Sequence, residues 1–167
     1  MRWLRFTILV LAASILQTNL VEVCAITSAQ IKPNLHLILL AFFAIYCNPH
    51  DVIISSFIIG LCADIIGPAI GPQMISYGII GTLVSELRQF IVLDKILQQM
   101  LAISVAGLLT AALGAALYPI KDVSLSVPLG GYFIWQPLYS AVIGPFMFAG
   151  IAFVMGTPHP KPRAGLS

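Results

Sequence analysis

Charged residues are scarce in this chain, and their scarcity argues against a soluble protein. Of its 167 residues only 8% are charged, whereas 59% are hydrophobic, and the mean hydropathy is +1.01. Soluble domains carry about 25% charged residues. A chain this apolar cannot cover itself with polar surface, so we expect a lipid bilayer to be its solvent. The net charge of only +2 also argues against nucleic acid as a partner.

The sequence also lacks the motifs of enzyme chemistry. Its three cysteines, Cys24, Cys47 and Cys62, form no CxxC pair, and none stands beside a histidine, so we expect no metal or redox site. No glycine-rich phosphate-binding motif occurs, and no serine–histidine–aspartate constellation is apparent. We therefore expect a protein that is not an enzyme, with no catalytic, cofactor-binding or metal-binding residues and no cofactor.

Long apolar runs dominate what is present, and they predict an all-α integral membrane protein. At about 20 residues per transmembrane helix, the chain length allows five to seven spans, and the pattern favours six. We predict a single polytopic membrane domain over residues 1–156 and a disordered polar tail over residues 157–167. The predicted spans are Trp3 to Val23, Leu35 to Cys47, Val52 to about Ile66, Gln73 to about Val84 or as far as Leu93, Leu101 to Leu117 and Ile134 to Met155.

Two segments admit a second interpretation. The first span follows a basic start, as a signal peptide does, but apolar sequence resumes at Leu20, and we interpret this span as uncleaved. Residues 85–99 are either a short amphipathic helix at the membrane surface or an extension of the fourth helix whose charged side chains reach the interface. Both interpretations of residues 85–99 stay open.

The distribution of positive charge predicts that both termini are cytoplasmic. If the chain crosses the membrane six times, the side opposite the termini holds only Lys32 and Lys121. The cytoplasmic side of a membrane protein carries the excess of Lys and Arg. The side of the termini collects the other six, which are Arg2, Arg5, Arg88, Lys95, Lys161 and Arg163.

Asp64 is the one acid that lies well inside an apolar run. An ionisable residue within a membrane is a functional hypothesis by default, but a structural role, in which hydrogen bonds fix a turn, is the alternative. Two Gly-Pro steps, Gly67-Pro68 and Gly71-Pro72, follow and must break the helix. Asp64 has no basic neighbour that would suggest a proton relay. We predict a hydrogen bond to it from Gln17 or Asn19, at the outer end of the first span.

Four short motifs stand in order along the apolar chain. They are Lys32-Pro33-Asn34-Leu35, Gly60-xxx-Asp64-xx-Gly67 with Gly71, Tyr77-Gly78-xx-Gly81, and Glu86-Leu87-Arg88. Their order and spacing resemble the rod shape-determining protein MreD family, which often has Asp at the position of Asn34. The resemblance marks as structural or interface candidates Pro33, Asn34, Gly60, Asp64, Gly67, Gly71, Gly78 and Gly81.

The resemblance implies a non-enzymatic, multi-pass subunit of the bacterial inner (cytoplasmic) membrane, which supports lateral peptidoglycan synthesis within the cell-shape or elongation complex. The implied partners are an MreC-like protein and, through it, the MreB filament, RodA and the elongation transpeptidase. The family is also similar in topology to the substrate-binding subunit of energy-coupling-factor transporters. That similarity supplies an alternative function, a vitamin-like small-molecule binding subunit, whose site Asp64, Asn19, Gln73 and the loop 67–72 would line.

Overall fold

The chain folds into helices throughout the part that the structure describes. A computed structural model describes residues 3–19, 33–67, 70–87, 96–117 and 129–156, with the side chains of all except 129–134. Within these ranges there are six helices and no strand, which confirms the all-α prediction for them. The helices are α1 (Trp3–Asn19), α2 (Leu35–Tyr46), α3 (Pro49–Ile66), α4 (Pro72–Leu87), α5 (Ile96–Leu117) and α6 (Leu129–Met155).

The second helix lies at the centre of the bundle. α2 contacts every other helix, and those five contact one another in the closed order α1, α3, α4, α5, α6 and back to α1. This arrangement explains why α2, with only 12 residues and no charged side chain, buries nine of them. A helix that is apolar on all sides is stable only when it is surrounded, and here the five other helices surround it.

The two ends of the bundle can be assigned from contacts between helix termini. The side chain of Arg5, in the first turn of α1, donates from Nη1 to the carbonyl oxygens of Val154 (3.2 Å) and Met155 (3.1 Å), in the last turn of α6. α1 therefore begins where α6 ends, and we call this the Arg5 end. The chain then alternates in direction, so the last turn of α3, with Asp64, lies at the opposite end, which we call the Asp64 end.

Aromatic side chains fill the core towards the Arg5 end. Phe6 of α1 packs edge to face on Phe43 of α2, with ring centroids 5.0 Å apart. Phe42 of α2 packs in the same manner on Phe148 of α6, at 5.5 Å. Edge-to-face pairs add about 0.5–1.5 kcal/mol beyond their burial. These contacts attach the first and last helices to the central one.

Three of the six helices are long and apolar enough, by length and composition, to cross a membrane. They are Pro49–Ile66, Ile96–Leu117 and Trp135–Met155, within α3, α5 and α6, and Leu35–Tyr46 is a shorter apolar helix. α1 and α4 have 17 and 16 residues. The chain therefore has the helices of a membrane protein, although its helices differ widely in length.

Several predicted helix boundaries are corrected by the structure. α3 begins at Pro49 rather than Val52, because proline suits the first turn of a helix, where its missing N–H has no partner to lose. α5 begins at Ile96 rather than Leu101, and α4 continues to Leu87. α6 begins at Leu129 rather than Ile134, so the helix also includes Gly130 and Gly131.

Other predictions fall outside the described residues. The end of the predicted first span, at residues 20–23, is one of them. The amphipathic helix proposed for residues 85–99 is another, because residues 88–95 are not described. The predicted disordered tail over residues 157–167 is the third.

Candidate functional site

The Asp64 carboxylate caps the N-terminus of the following helix. It accepts three backbone N–H groups: Oδ2 from Gly71 (2.8 Å) and Met74 (2.8 Å), and Oδ1 from Gln73 (2.9 Å). The side chain is only 1% exposed. The first N–H groups of a helix have no partner within the helix, and the helix dipole favours a negative charge there. One carboxylate therefore satisfies several orphan donors of α4 and holds α4 against the end of α3.

The turn between α3 and α4 is built around glycine. Gly67 ends α3, and its N–H donates to the carbonyl oxygens of Ala63 and Asp64, both at 3.0 Å. Gly71 has φ of 122°, in the region that L side chains rarely adopt. Its N–H points at Asp64 in this conformation. The chain can therefore reverse over a few residues and start α4 at Pro72.

Three further glycines bring α3 and α4 into close contact. A Cβ at Gly60 would lie 2.6 Å from Cα of Met74 and 2.8 Å from the carbonyl oxygen of Gln73. At Gly78 a Cβ would lie 2.6 Å from the ring of Phe57, and at Gly81 it would overlap the Ser56 side chain. Small residues at such positions let helix backbones approach closely in a membrane. The contact at Gly60 also sets the position of Met74, whose N–H Asp64 binds.

A second polar cluster surrounds the start of the central helix. Asn34 is the N-cap of α2, and its Oδ1 accepts the N–H of Leu37 (3.1 Å). Its Nδ2 donates to the Tyr77 hydroxyl of α4 (2.8 Å), and its backbone N–H donates to the Ser140 hydroxyl of α6 (2.9 Å). Asn34 thereby connects α2, α4 and α6 within the bundle.

Gln17 extends this cluster to the first helix. Its Oε1 accepts the N–H of Leu35 (2.9 Å), and its Nε2 donates to the carbonyl oxygen of Pro33 (3.3 Å). The side-chain amide thus satisfies a donor at the start of α2 and an acceptor just before it. We call Gln17, Asn34, Tyr77 and Ser140 the Asn34 cluster. Each member lies on a different helix or at its start, so the cluster fixes four helices relative to one another.

The predicted bond from Gln17 or Asn19 to Asp64 is wrong. Gln17 is bound at the start of α2, and Asn19 Nδ2 donates to the carbonyl oxygen of Ile15 in its own helix (3.1 Å). Asp64 binds backbone N–H groups instead, because the start of α4 brings them within reach. The sequence signal for this was present: Asp64 precedes the helix-starting Pro72 across a turn with two Gly-Pro steps.

Tyr77 and Ser140 were not predicted to meet Asn34. Asn34 directly precedes an apolar run, which is typical of an N-cap. The cap alone does not indicate which distant residue accepts a hydrogen bond from the side-chain nitrogen of Asn34. Tyr77 lies 43 positions away and Ser140 lies 106 positions away in the chain. The order of helices around α2 brings them together, and that order is not visible in one sequence.

We expect the bond between Asn34 and Tyr77 to couple their contributions to stability. Tyr77→Phe should lower the free energy of unfolding by about 1–2 kcal/mol and Asn34→Ala by about 2–3 kcal/mol, because the second change also removes the cap. The free energy of unfolding of the double variant should fall by about 0.5–1.5 kcal/mol less than the sum of the two single losses. Reversible unfolding in mild detergent measures the free energy of unfolding of the unaltered protein, the two single variants and the double variant. Simple additivity would show that the bond contributes nothing.

Groupings that could hold a metal ion do not occur in the described part of the chain, where no three His, Cys, Asp or Glu side chains cluster. His36 is buried in α2 and shares a hydrogen bond of 3.1 Å with the Ser14 hydroxyl of α1. His50 is exposed near the start of α3. At the Asp64 end, Asp64, Asn34 and Gln17 bind backbone groups at helix termini.

Comparison with known proteins adds the family. The family model described as rod shape-determining protein MreD matches residues 1–154 of the 167-residue chain. The chain belongs to the MreD family. A search of curated proteins and a search of solved structures each found no match.

Membership of the MreD family confirms the resemblance drawn from the four motifs. The match covers all six helices up to the last residues of α6. The family name assigns the protein to rod shape determination, and MreD proteins are a shape-determining membrane family rather than a known enzyme family. Apolar helices long enough to cross a membrane agree with a membrane protein of this kind.

Proposed function

We propose that this MreD protein is a non-enzymatic subunit of the cell-shape complex in the inner membrane, which supports lateral peptidoglycan synthesis through protein–protein contacts. The proposed direct partner is an MreC-like protein, which would link it to the MreB filament, RodA and the elongation transpeptidase. The family match carries the proposal. A scaffold of this kind requires a stable shape and outward-facing surfaces, rather than a reactive centre.

The use of polar side chains supports a scaffold. Asp64, Asn34 and Gln17 bind helix termini inside the bundle, so their hydrogen-bonding capacity holds helices together. Outward-facing side chains are large and apolar, as Leu11 (56% exposed) and Phe146 (81% exposed) illustrate. Such side chains suit lipid and the membrane helices of partner proteins.

The alternative, a vitamin-like ligand in a transporter subunit, has less support. A ligand site needs convergent polar groups that remain able to bind. Asp64 already accepts three backbone N–H groups, and the side chain of Asn19 bonds to its own helix. Two of the residues expected to line such a site are therefore committed elsewhere. We still propose that the topology of this protein is similar to that of the substrate-binding subunit of energy-coupling-factor transporters.

We propose a six-span topology with both termini in the cytoplasm, and a single membrane domain over residues 1–156 with a disordered tail beyond it. α1, α2 and α4 are shorter than α3, α5 and α6, but they pack beside them in one bundle, which supports their crossing as well. The Arg5 end holds the start of α1 and the end of α6. In the proposed topology the side of the termini carries six of the eight Lys and Arg residues, which supports a cytoplasmic location for this end.

Fusions to the two termini test this orientation. We expect green fluorescent protein to fluoresce when fused before residue 1 or after residue 167, because both fusion points would lie in the cytoplasm. Alkaline phosphatase at the same points should be inactive, since it requires export. As a control, phosphatase inserted between residues 118 and 128 should be active, because the proposed topology places these residues outside. Active phosphatase at either terminus would contradict the proposed topology.

Depletion of the protein from the cells that produce it tests the function. We expect cells to widen and become round, and newly inserted wall, labelled with fluorescent D-amino acids, to lose its pattern along the side wall. Restoring the unaltered protein should reverse both effects. Depleted cells that keep their width and their labelling pattern would overturn the proposed role.

A further inference from the structure

The outward apolar surface of the helical hairpin α3–α4 is short. α3 has Asp51 in its first turn and ends at Ile66, so its apolar part, from Val52 to Ile66, rises about 21 Å. α4 starts at Pro72 and carries an exposed Glu86 in its last turn. The distance along α4 between these two residues is also about 21 Å. An acid therefore limits the apolar surface of both helices at the Arg5 end.

The opposite side of the ring is longer. α5 runs for 22 residues from Ile96 to Leu117 without a charged residue, and the part of α6 from Trp135 to Met155 has 21 residues, again without a charge. At about 1.5 Å per residue, these helices rise about 30–32 Å. Both helices are also more hydrophobic than α3.

A bilayer of ordinary thickness fits only one of these two sides. The hydrocarbon core is about 30 Å thick, which matches α5 and α6 but exceeds the α3–α4 surface by about 9 Å. Long lysine and arginine side chains can reach the interface from below it, but Glu86 has a shorter stem. A bilayer meets a short apolar surface by becoming thinner.

The outward side chains of the hairpin are chemically suited to acyl chains. They are large and aliphatic or aromatic, and they follow both helices along most of their length. The exposed members are Ile53, Ile54, Phe57, Leu61, Ile65, Ile66, Ile75, Ile79, Leu83 and, one residue beyond Glu86, Leu87.

We propose that the α3–α4 hairpin thins the bilayer beside it by about a third relative to the bilayer beside α5 and α6, and so gathers lipids with shorter acyl chains on that side. This inference rests on the six-span topology proposed above. The bound partner is the hydrocarbon of the membrane itself. The change in thickness falls between α4 and α5, because these two helices are neighbours in the ring and their apolar lengths differ.

Tryptophan quenching by brominated lipids measures this preference at single positions. Both native tryptophans are first removed, as Trp3→Phe and Trp135→Phe. One variant then carries Ile79→Trp on α4 and the other Leu109→Trp on α5, where the native side chains are 43% and 45% exposed. Each full-length variant is reconstituted in phosphatidylcholine vesicles that mix fourteen-carbon and twenty-two-carbon monounsaturated chains, with one of the two lipids brominated.

The hairpin position should prefer the short lipid. We expect the short-to-long ratio of lipid binding to be at least about twofold higher for Ile79→Trp than for Leu109→Trp. Equal short-to-long ratios at the two positions would overturn the inference but leave the topology intact. Quenching at Leu109→Trp and none at Ile79→Trp would have the same meaning. Absence of quenching at both positions would overturn the membrane topology as well. A second pair, Leu83→Trp and Leu108→Trp, repeats the test if a member of the first pair does not fold.

Discussion

Replacing Asp64 with alanine is expected to lower the free energy of unfolding by about 3–5 kcal/mol, the largest effect of any single polar residue in the bundle. The carboxylate accepts the N–H groups of Gly71, Gln73 and Met74. Without it, these donors lose their partner at a site from which water is largely excluded. Asp64→Asn should recover part of the loss, because an amide oxygen accepts hydrogen bonds but carries no charge. Reversible unfolding of the purified protein in mild detergent measures the difference.

A matched control separates this effect from a general effect of lost charge. Glu86→Gln also converts an acid to its amide, but Glu86 is exposed in the last turn of α4. Its expected cost is below about 1 kcal/mol. If Asp64→Ala and Glu86→Gln were equally mild, the hydrogen bonds to the start of α4 would not stabilise the fold.

The change Gly60→Ala is expected to lower the free energy of unfolding by about 2–3 kcal/mol, although alanine favours helix more than glycine does. The added Cβ would lie 2.6 Å from Cα of Met74, and backbone cannot rotate away as a side chain can. α3 and α4 must therefore separate. The separation also moves the Met74 N–H away from the Asp64 carboxylate, so one methyl group disturbs both the packing and the cap. The same unfolding measurement applies.

Gly150→Ala is the control for this substitution. A Cβ at Gly150, in α6, would meet nothing within 4 Å. The higher helix propensity of alanine should then be the only effect, a stabilisation of up to about 1 kcal/mol. Opposite signs for the two glycine-to-alanine changes are expected in unfolding experiments and in the amount of protein that accumulates in membranes. A stabilising Gly60→Ala would show that the helices are not in close contact there.

The helices could be predicted from the sequence because hydrophobicity is a local property. Six apolar segments gave six helices in the described ranges, and the break after Asp64 followed from its two Gly-Pro steps. Helix ends were predicted less accurately where a residue type occurs both in turns and within helices. Proline can stop one helix and start the next, and Pro49 starts α3. Glycine is typical of loops in soluble proteins but frequent in membrane helices, and α6 begins before Gly130 and Gly131.

The candidate site could be predicted in part for the same reason. Asp64 stands out in the sequence because an acid in an apolar run is costly. Its partners are backbone N–H groups, which the amino-acid types do not reveal. The Asn34 cluster depends on which helices are neighbours. Tyr77 and Ser140 reach Asn34 because α4 and α6 both pack on α2. That arrangement is a property of the whole bundle, so it became visible only in the structure.

Affinity purification tests most directly the claim that this MreD protein acts as a scaffold through protein contacts. The tagged protein is isolated from gently solubilised membranes of its own cells, and the proteins and small molecules that accompany it are both identified. We predict an MreC-like protein together with wall-synthesis proteins, and no small molecule in stoichiometric amount. A stoichiometric vitamin-like compound, accompanied by a partner linked to an ATPase, would contradict the account and identify a transporter subunit.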